Sequence, residues 1–161
     1  MEIDYDRIIN VLVAADVEFI IVGGAAATAH GSSRLTTDLD VVYSRDPKNI
    51  KLLVSALEPL QPKLRGAPID HPFQWDEETL RNGMNFPLTT SVGSLDIFGE
   101  IIGGPTFEDL VADTITLDLF GSKCLCLNLP RLIKIKEATG RPKDLDVAKE
   151  LKALVQEQKR Q

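Results

Sequence analysis

Three aspartates suggest the most specific chemistry in this sequence. Asp38 and Asp40 stand two residues apart in the stretch DLDVV, and Asp96 stands in LDIF further along the chain. In a β-strand, residues i and i+2 point to the same face, so Asp38 and Asp40 would share one face while Leu39 and Val41 point to the other. Adjacent carboxylates repel each other, and burying them unpaired is costly. They therefore need solvent, basic partners or a metal ion.

A divalent cation is one such partner. Mg²⁺ prefers oxygen ligands and keeps positions open for water and substrate phosphates. If the strand of Asp96 lies beside that of Asp38 and Asp40, the three carboxylates converge and could hold two metal ions about 3.5–4 Å apart. Such a pair activates an attacking oxygen and neutralises a leaving group in phosphoryl or nucleotidyl transfer. The competing interpretation is structural: Asp96 would be an exposed edge residue, and Asp38 would cap a turn. Spacing alone leaves both open.

A glycine pair adds a second signal. Gly23 and Gly24 end the apolar run FIIV and open a stretch of small residues, and thirteen residues separate Gly24 from Asp38. Without side chains, this turn would let an anion approach the backbone N–H groups at the start of a helix. A glycine pair after a strand often serves packing alone. Its combination with two aspartates on the next strand is more specific, because it places a phosphate cradle beside a metal site.

Hydrophobic periodicity and turn residues predict the elements that would position these groups. The pattern indicates one domain over residues 1–161, of class α/β (or α+β), with a mixed β-sheet, helices packed on it and two C-terminal helices. Helices are predicted at 3–15, 24–31, 47–60, 129–140 and 141–160, strands at 17–24, 37–44 and 91–101, two extended pieces within 114–129 around Gly121, and loops with short strands over 61–90.

Composition bounds the function. The chain has 161 residues, 43% of them hydrophobic, and a net charge of −6, which argues against a broad basic surface for duplex DNA. No apolar run is long enough to span a bilayer and the N-terminus is acidic, so we expect a cytoplasmic protein without a membrane partner. Cys124 and Cys126 alternate within an apolar run and are expected to be core residues.

The motifs VGG, RLTTDLDVV and LDIF together resemble the catalytic core of the DNA polymerase β-like nucleotidyltransferase superfamily. The closest branch is the small prokaryotic minimal nucleotidyltransferases related to toxin–antitoxin and abortive-infection systems. The resemblance implies that Gly23 and Gly24 receive the nucleoside triphosphate. It also implies that Asp38, Asp40 and Asp96 are the catalytic and metal-binding acids, with Mg²⁺, or alternatively Mn²⁺, as the cofactor.

Two details qualify the resemblance near these motifs. Many members have serine after the first glycine, where this chain has Gly24, so one hydroxyl contact to phosphate would be lost while backbone donors remain. Arg34 precedes the aspartates as in relatives. It would either hold a phosphate or pair with an aspartate.

The C-terminal stretch LPRLIKIKEATGRPKDLDVAKEL is also similar to that branch, in which a helical lysine and a basic turn lie near the nucleotide. Lys134 and Lys136 are both candidates, but about 200° of helical rotation separates them, so only one should face the site. Lys136 is preferred because it stands five residues before Arg141. Arg141 and Lys143 would contact phosphate. Asp144 would cap the last helix or pair with a base.

The resulting hypothesis is a Mg²⁺-dependent nucleotidyltransferase that moves NMP from an NTP to an acceptor hydroxyl, with Asp96 helping to deprotonate the acceptor. The acceptor could be RNA or tRNA, a protein or a small molecule. The alternative is a weak or inactive module that binds a nucleotide or a cognate partner protein in a toxin–antitoxin-type pair.

Overall fold

A computed structural model describes residues 4–32, 38–101 and 104–160. The helices are α1 (Tyr5–Ala14), α2 (Gly23–Ala29), α3 (Pro47–Leu57), α4 (Glu77–Asn82), α5 (Phe107–Leu110), α6 (Leu129–Thr139) and α7 (Pro142–Lys159), with 3-10 turns at Glu58–Leu60 and Val111–Asp113. The strands are β1 (Phe19–Val22), β2 (Asp38–Tyr43), β3 (Lys63–Leu64), β4 (Asn85–Thr90), β5 (Gly93–Phe98), β6 (Thr114–Leu119) and β7 (Ser122–Leu127).

The described strands form one mixed sheet in the order β3-β4-β5-β2-β1-β7-β6. The pairs β2/β5 and β1/β7 are parallel, whereas β1 and β2 are antiparallel. The central strands are the most buried, and Ile20, Leu39, Val41, Leu95 and Ile97 are wholly inaccessible to solvent. These strands therefore provide a fixed support for the polar residues that alternate with their apolar ones.

Local sequence signals begin and end the helices that flank this sheet. Asp46 caps α3 by accepting a hydrogen bond from the Lys48 amide, and Pro47 is the first residue of that helix. Gly140 ends α6 in the left-handed conformation (φ +68°), after which Pro142 begins α7. No helix within the described ranges is both long enough and apolar enough to cross a membrane.

The predicted fold class is confirmed: the structure has a mixed sheet, helices packed on it and two C-terminal helices. The middle of the chain is more regular than predicted. Residues 77–82 form α4 rather than a loop, with Asp76 accepting from the Thr79 amide as the cap. β4 is a full six-residue strand that accommodates Pro87. Four prolines between residues 61 and 90 suggested irregular structure, but Pro87 can lie in a strand because it still offers its carbonyl for pairing.

Candidate active site

The three predicted aspartates lie on adjacent strands. β2 and β5 run parallel in a register that pairs Asp40 with Asp96 and Asp38 with Ser94. Leu39 and Leu95, which alternate with these polar residues, are fully buried on the opposite face. The condition set by the sequence, that the two strands be neighbours, is therefore met. Asp38, Asp40 and Asp96 share one face of the sheet.

The electrostatics of Asp40 reflect this crowding. Burial raises the pKa of Asp40 to about 7, and the charges of Asp96 and Asp38 act in the same direction. The charge of Lys136 acts to lower the pKa of Asp40, while a hydrogen bond with Asp96 acts to raise it. Accumulated negative charge with little solvent disfavours a third ionised carboxylate. A cation bound here would relieve that cost.

Arg65 lies at this cluster, although the sequence analysis did not single it out. Its guanidinium is ion-paired with Asp96 through Nη2, and Nη1 lies 3.9 Å from Asp38 Oδ1. Arg65 follows β3 directly, and β3 reaches the site only because it pairs with β4, which pairs with β5. No local pattern around Arg65 marks it, since its position depends on these two pairings.

Gly23 brings the glycine turn against the aspartates. It is the first residue of α2 and has φ +63°, in the left-handed region that favours glycine. A Cβ atom at this position would overlap the carboxylate of Asp40. The turn and Asp40 are therefore in contact, as the sequence hypothesis of a cradle beside a metal site requires. Gly24 follows as the second residue of the same helix.

A cavity of about 180 Å³ opens next to Asp40. Apolar side chains from β1, β5, β7, α6 and the segment after β5 line it together with polar groups. Its lining consists of Val22, Phe98, Ile101, Leu127, Leu132 and Ile135, together with Gly23, Asp40, Lys136, Thr139 and Arg141. An acid, two bases and a glycine turn thus surround one partly apolar space, which suits a ligand that combines phosphate with an apolar or aromatic part.

The predicted basic residues divide into two groups. Lys136 and Arg141 line the cavity, whereas Lys143 and Lys134 are exposed and do not. Of the two lysines on α6, Lys136 is therefore the one at the cavity, whereas helical geometry alone required only that one of them should face it. Arg34 lies outside the described residues.

Asp144 organises this basic group. Its carboxylate accepts from Thr139 Oγ1 at 2.7 Å and from Arg141 Nε at 2.7 Å, and it lies 3.4 Å from Lys136 Nζ. Burial acts to raise the pKa of Asp144, but these hydrogen bonds and the charge of Lys136 outweigh it, so the pKa is lowered. Of the two roles considered for Asp144, pairing with bases is the one observed. The residue that caps α7 is Arg141, which makes no side-chain capping hydrogen bond.

The donor chemistry of the cluster suits a hard divalent cation, because all three acids offer carboxylate oxygens on one face. Among residues 4–32, 38–101 and 104–160, however, no three acidic, histidine or cysteine side chains are arranged so that they could hold a metal ion together. The oxygen donors are therefore adjacent without forming a complete ligand set in this conformation. The Arg65–Asp96 ion pair engages one of them.

The sequence matches no protein-family model and no curated protein. The structure does match solved structures. The lincosamide antibiotic adenylyltransferase LnuA, solved with lincomycin bound, aligns with a TM-score of 0.63 at 13% identity, covering 96% of this chain and 99% of that chain. A protein from Thermotoga maritima described as a candidate nucleotidyltransferase aligns with a TM-score of 0.57 at 15% identity, covering 94% and 89%.

A third similar structure is the antibiotic-resistance factor ANT(2″)-Ia in complex with adenylyl-2″-tobramycin. It has a TM-score of 0.55 at 13% identity, over 92% of this chain and 90% of that chain. The sequence identities of these proteins to this chain are low, but each alignment covers more than 90% of this chain. The chain therefore has the fold that these solved structures share.

Proposed function

We propose that the protein is a Mg²⁺-dependent nucleotidyltransferase, which transfers NMP from an NTP to an acceptor hydroxyl and releases pyrophosphate. The observation that carries this proposal is the β2/β5 register, which sets Asp40 beside Asp96 and keeps Asp38 on the same face. The contact between Gly23 and Asp40 supports it, as do the two bases that line the adjoining cavity. The shared fold is consistent with it.

Each residue type has a role in such a reaction. Asp38, Asp40 and Asp96 would hold Mg²⁺, which when bound neutralises phosphate charge and lowers the pKa of a bound hydroxyl. The backbone at Gly23 and Gly24 would receive the phosphates, as the resemblance implies. Together these groups would orient the nucleotide between α2 and the aspartate face.

The basic residues would hold the nucleotide at the other wall of the site. Lys136 and Arg141 would bind phosphate oxygens, because Asp144 holds both at the cavity. Lys143 is exposed and would contribute at the rim. Arg34 is proposed as a phosphate contact only from the resemblance.

The bond changes are those of nucleotidyl transfer. The acceptor oxygen forms a bond to the α-phosphorus, the bond from that phosphorus to the oxygen bridging the β-phosphate breaks, and pyrophosphate leaves. We assign the acceptor proton to Asp96, which is the acid on β5 and lies opposite Asp40 in the register. Catalysis in this scheme comes mainly from positioning and charge neutralisation.

The acceptor class is the finer part of the proposal. RNA, protein and small molecules remain candidates, and we place a small hydroxylated molecule first. Two of the similar structures are described with lincomycin or an adenylylated tobramycin. A net charge of −6 also disfavours a long polyanionic acceptor. We expect the reaction in the cytoplasm, where nucleoside triphosphates are available.

A second candidate function is a module that binds a nucleotide or a partner protein, such as one half of a toxin–antitoxin-type pair, without efficient transfer. The observation favouring it is that Arg65 engages Asp96 and that the described acids do not form a three-ligand set. Gly24 points the same way, because many members of the family that the sequence resembles have serine there, and glycine would lack that hydroxyl contact to phosphate.

Two measurements test the proposal. Thermal unfolding of the full chain is followed with each NTP, with and without Mg²⁺, and α-³²P-labelled NTPs are incubated with RNA, protein and aminoglycoside or lincosamide acceptors. We expect Mg²⁺-dependent stabilisation by NTP that is lost in Asp38→Asn/Asp40→Asn. The charge-matched control Asp118→Asn/Asp146→Asn, at two exposed positions, should behave as wild type.

The outcomes separate the candidates. Equal stabilisation of wild type and Asp38→Asn/Asp40→Asn by NTP and Mg²⁺ would show that these acids hold no metal–nucleotide complex. Acid-dependent binding without label on any acceptor would favour the binding module over the enzyme.

A further inference from the structure

We propose that Arg65 is a built-in cation of the aspartate cluster, which competes with a divalent metal ion for Asp96 and thereby sets the metal affinity of the nucleotide-free protein. This inference rests on the proposed function, because it concerns the same aspartates. It makes Arg65 a positioning residue that acts through Asp96.

The first argument is that Arg65 is held at the cluster by two hydrogen bonds to β4. Its amide donates to the carbonyl of Pro87 at 2.9 Å, and its Nη1 donates to the carbonyl of Leu88 at 3.0 Å. Both carbonyls belong to β4, the strand between β3 and the strand of Asp96. The guanidinium is therefore anchored by the sheet itself and does not reach the aspartates as a freely rotating side chain.

The second argument is where the positive charge lies. The Nη2 group is ion-paired with Asp96 Oδ1, and Nη1 is 3.9 Å from Asp38 Oδ1. The side chains of Arg65 and Asp96 are only 34% and 17% exposed, so solvent screens this attraction less than it would at an open surface. Arg65 thus compensates part of the charge of Asp96 and Asp38.

The third argument is the effect on an incoming metal ion. A divalent cation that uses Asp96 must displace the guanidinium from Oδ1 or bind beside a positive charge. Either route lowers the affinity for free metal, since like charges a few ångströms apart repel strongly in a partly buried site. The absence of an assembled three-ligand set among the described residues agrees with this arrangement.

The test is a titration of the metal-stripped full chain with Mn²⁺ alone, in which free Mn²⁺ is measured by electron paramagnetic resonance. We expect Arg65→Gln to lower the Kd for Mn²⁺ roughly tenfold, because it removes the competing charge. Arg65→Lys keeps that charge and should stay within about threefold of wild type. In an Asp96→Asn background, Arg65→Gln should change the Kd by less than about threefold, because the two residues act as a pair.

A matched control and a second readout guard against effects of misfolding. Arg131→Gln removes another partly buried arginine, whose Nη1 lies 2.9 Å from Asp113, and it should leave the Mn²⁺ affinity unchanged. Thermal unfolding should show a larger stabilisation by Mn²⁺ in Arg65→Gln than in wild type.

The possible outcomes are distinct. Aspartate-dependent Mn²⁺ binding that is equal or weaker in Arg65→Gln would overturn the role of Arg65 and leave the proposed metal site standing. An increase in affinity that persists in Asp96→Asn would also overturn it, because Arg65 would then not act through Asp96. No Mn²⁺ binding by wild type or by Arg65→Gln would overturn both this inference and the metal site.

Discussion

Gly23 leaves no room for a side chain, because the position combines a left-handed backbone with direct contact to Asp40. We predict that Gly23→Ala destabilises the protein by about 1–2 kcal/mol through backbone strain and also abolishes the Mg²⁺-dependent stabilisation by NTP, since Asp40 must move. Denaturant unfolding and thermal shift measure the two effects separately.

Gly121 supplies the control for this prediction. Its φ is +83°, and a Cβ atom there would meet nothing within 4 Å. Gly121→Ala should therefore show the strain without the loss of nucleotide response. A normal nucleotide response in Gly23→Ala would contradict the contact between the glycine turn and the site.

Asp144 should contribute stability that depends on pH. Its side chain is only 9% exposed and holds Lys136 and Arg141, so we predict that Asp144→Asn lowers the free energy of unfolding by about 2 kcal/mol at pH 7. Because the folded-state pKa is lowered, this contribution is present above the unfolded pKa of about 4 and is lost as pH falls below it.

Chemical denaturation of wild type and Asp144→Asn at pH 7 and pH 3 checks this. The difference in free energy of unfolding between the two proteins should be smaller at pH 3. Glu137→Gln is the control, because the Glu137–Lys152 pair links the same two helices but is about half exposed. It should cost less than about 0.5 kcal/mol. A pH-independent effect of Asp144→Asn would show that the carboxylate charge is not what stabilises this turn.

The helix α6 contains its own comparison between a site residue and a surface residue. Lys136 lines the cavity, while Lys134, two residues earlier, is exposed to solvent. We predict that Lys136→Met raises the Kd for NTP by roughly tenfold, because a charged contact to phosphate is lost, whereas Lys134→Met changes it less than about twofold. Isothermal titration in the presence of Mg²⁺ provides the measurement. If Lys136→Met and Lys134→Met raised the Kd equally, the two lysines would act on the nucleotide only through their overall positive charge.

The pairing of β2 with β5 positions the site, although no local sequence pattern predicts that these two strands pair. The D-x-D alternation placed two acids on one face, but Asp96 joins them because five consecutive residues of each strand pair in parallel, from Asp38↔Ser94 to Val42↔Phe98. A slip of one residue would turn Asp96 to the opposite face. The buried Leu95 and Ile97 oppose that slip, so the register of the site is fixed by the core.

The two cysteines report on the stability of the sheet as a whole. Cys126 lies in β7 beside β1 and is fully buried, and Cys124 is 5% exposed. Burial raises the pKa of the Cys126 thiol to about 12, and the neighbouring Cys124 adds to this. Since the thiolate is the reactive form, both cysteines should be inert in the folded protein.

We predict that a thiol reagent at pH 8 modifies the native protein at least about 100-fold more slowly than the denatured chain, with a rate set by unfolding. Ser55→Cys, which places a thiol at an exposed position on α3, is the positive control and should react quickly without denaturant. Rapid modification of wild type would contradict the burial of β7.

Local features of the sequence determined the elements and the candidate acids. Four such features depend only on neighbours within a few positions along the chain. They are the alternation of Asp38 and Asp40 with apolar residues, Pro47 at the start of α3, the hairpin around Gly121 and the break at Gly140. Periodicity and backbone preference act over that range, so these predictions hold. The helix α4 was missed because nearby prolines and glycines obscured a short capped segment.

Only the tertiary structure decided how these pieces meet. It placed Arg65 on Asp96, chose Lys136 over Lys134, and made Asp144 a partner of bases rather than a helix cap. Each of these depends on strand pairing or helix packing between distant segments. The free energy that selects such pairings comes from burying the core as a whole, so it is not encoded in the pattern of any one segment.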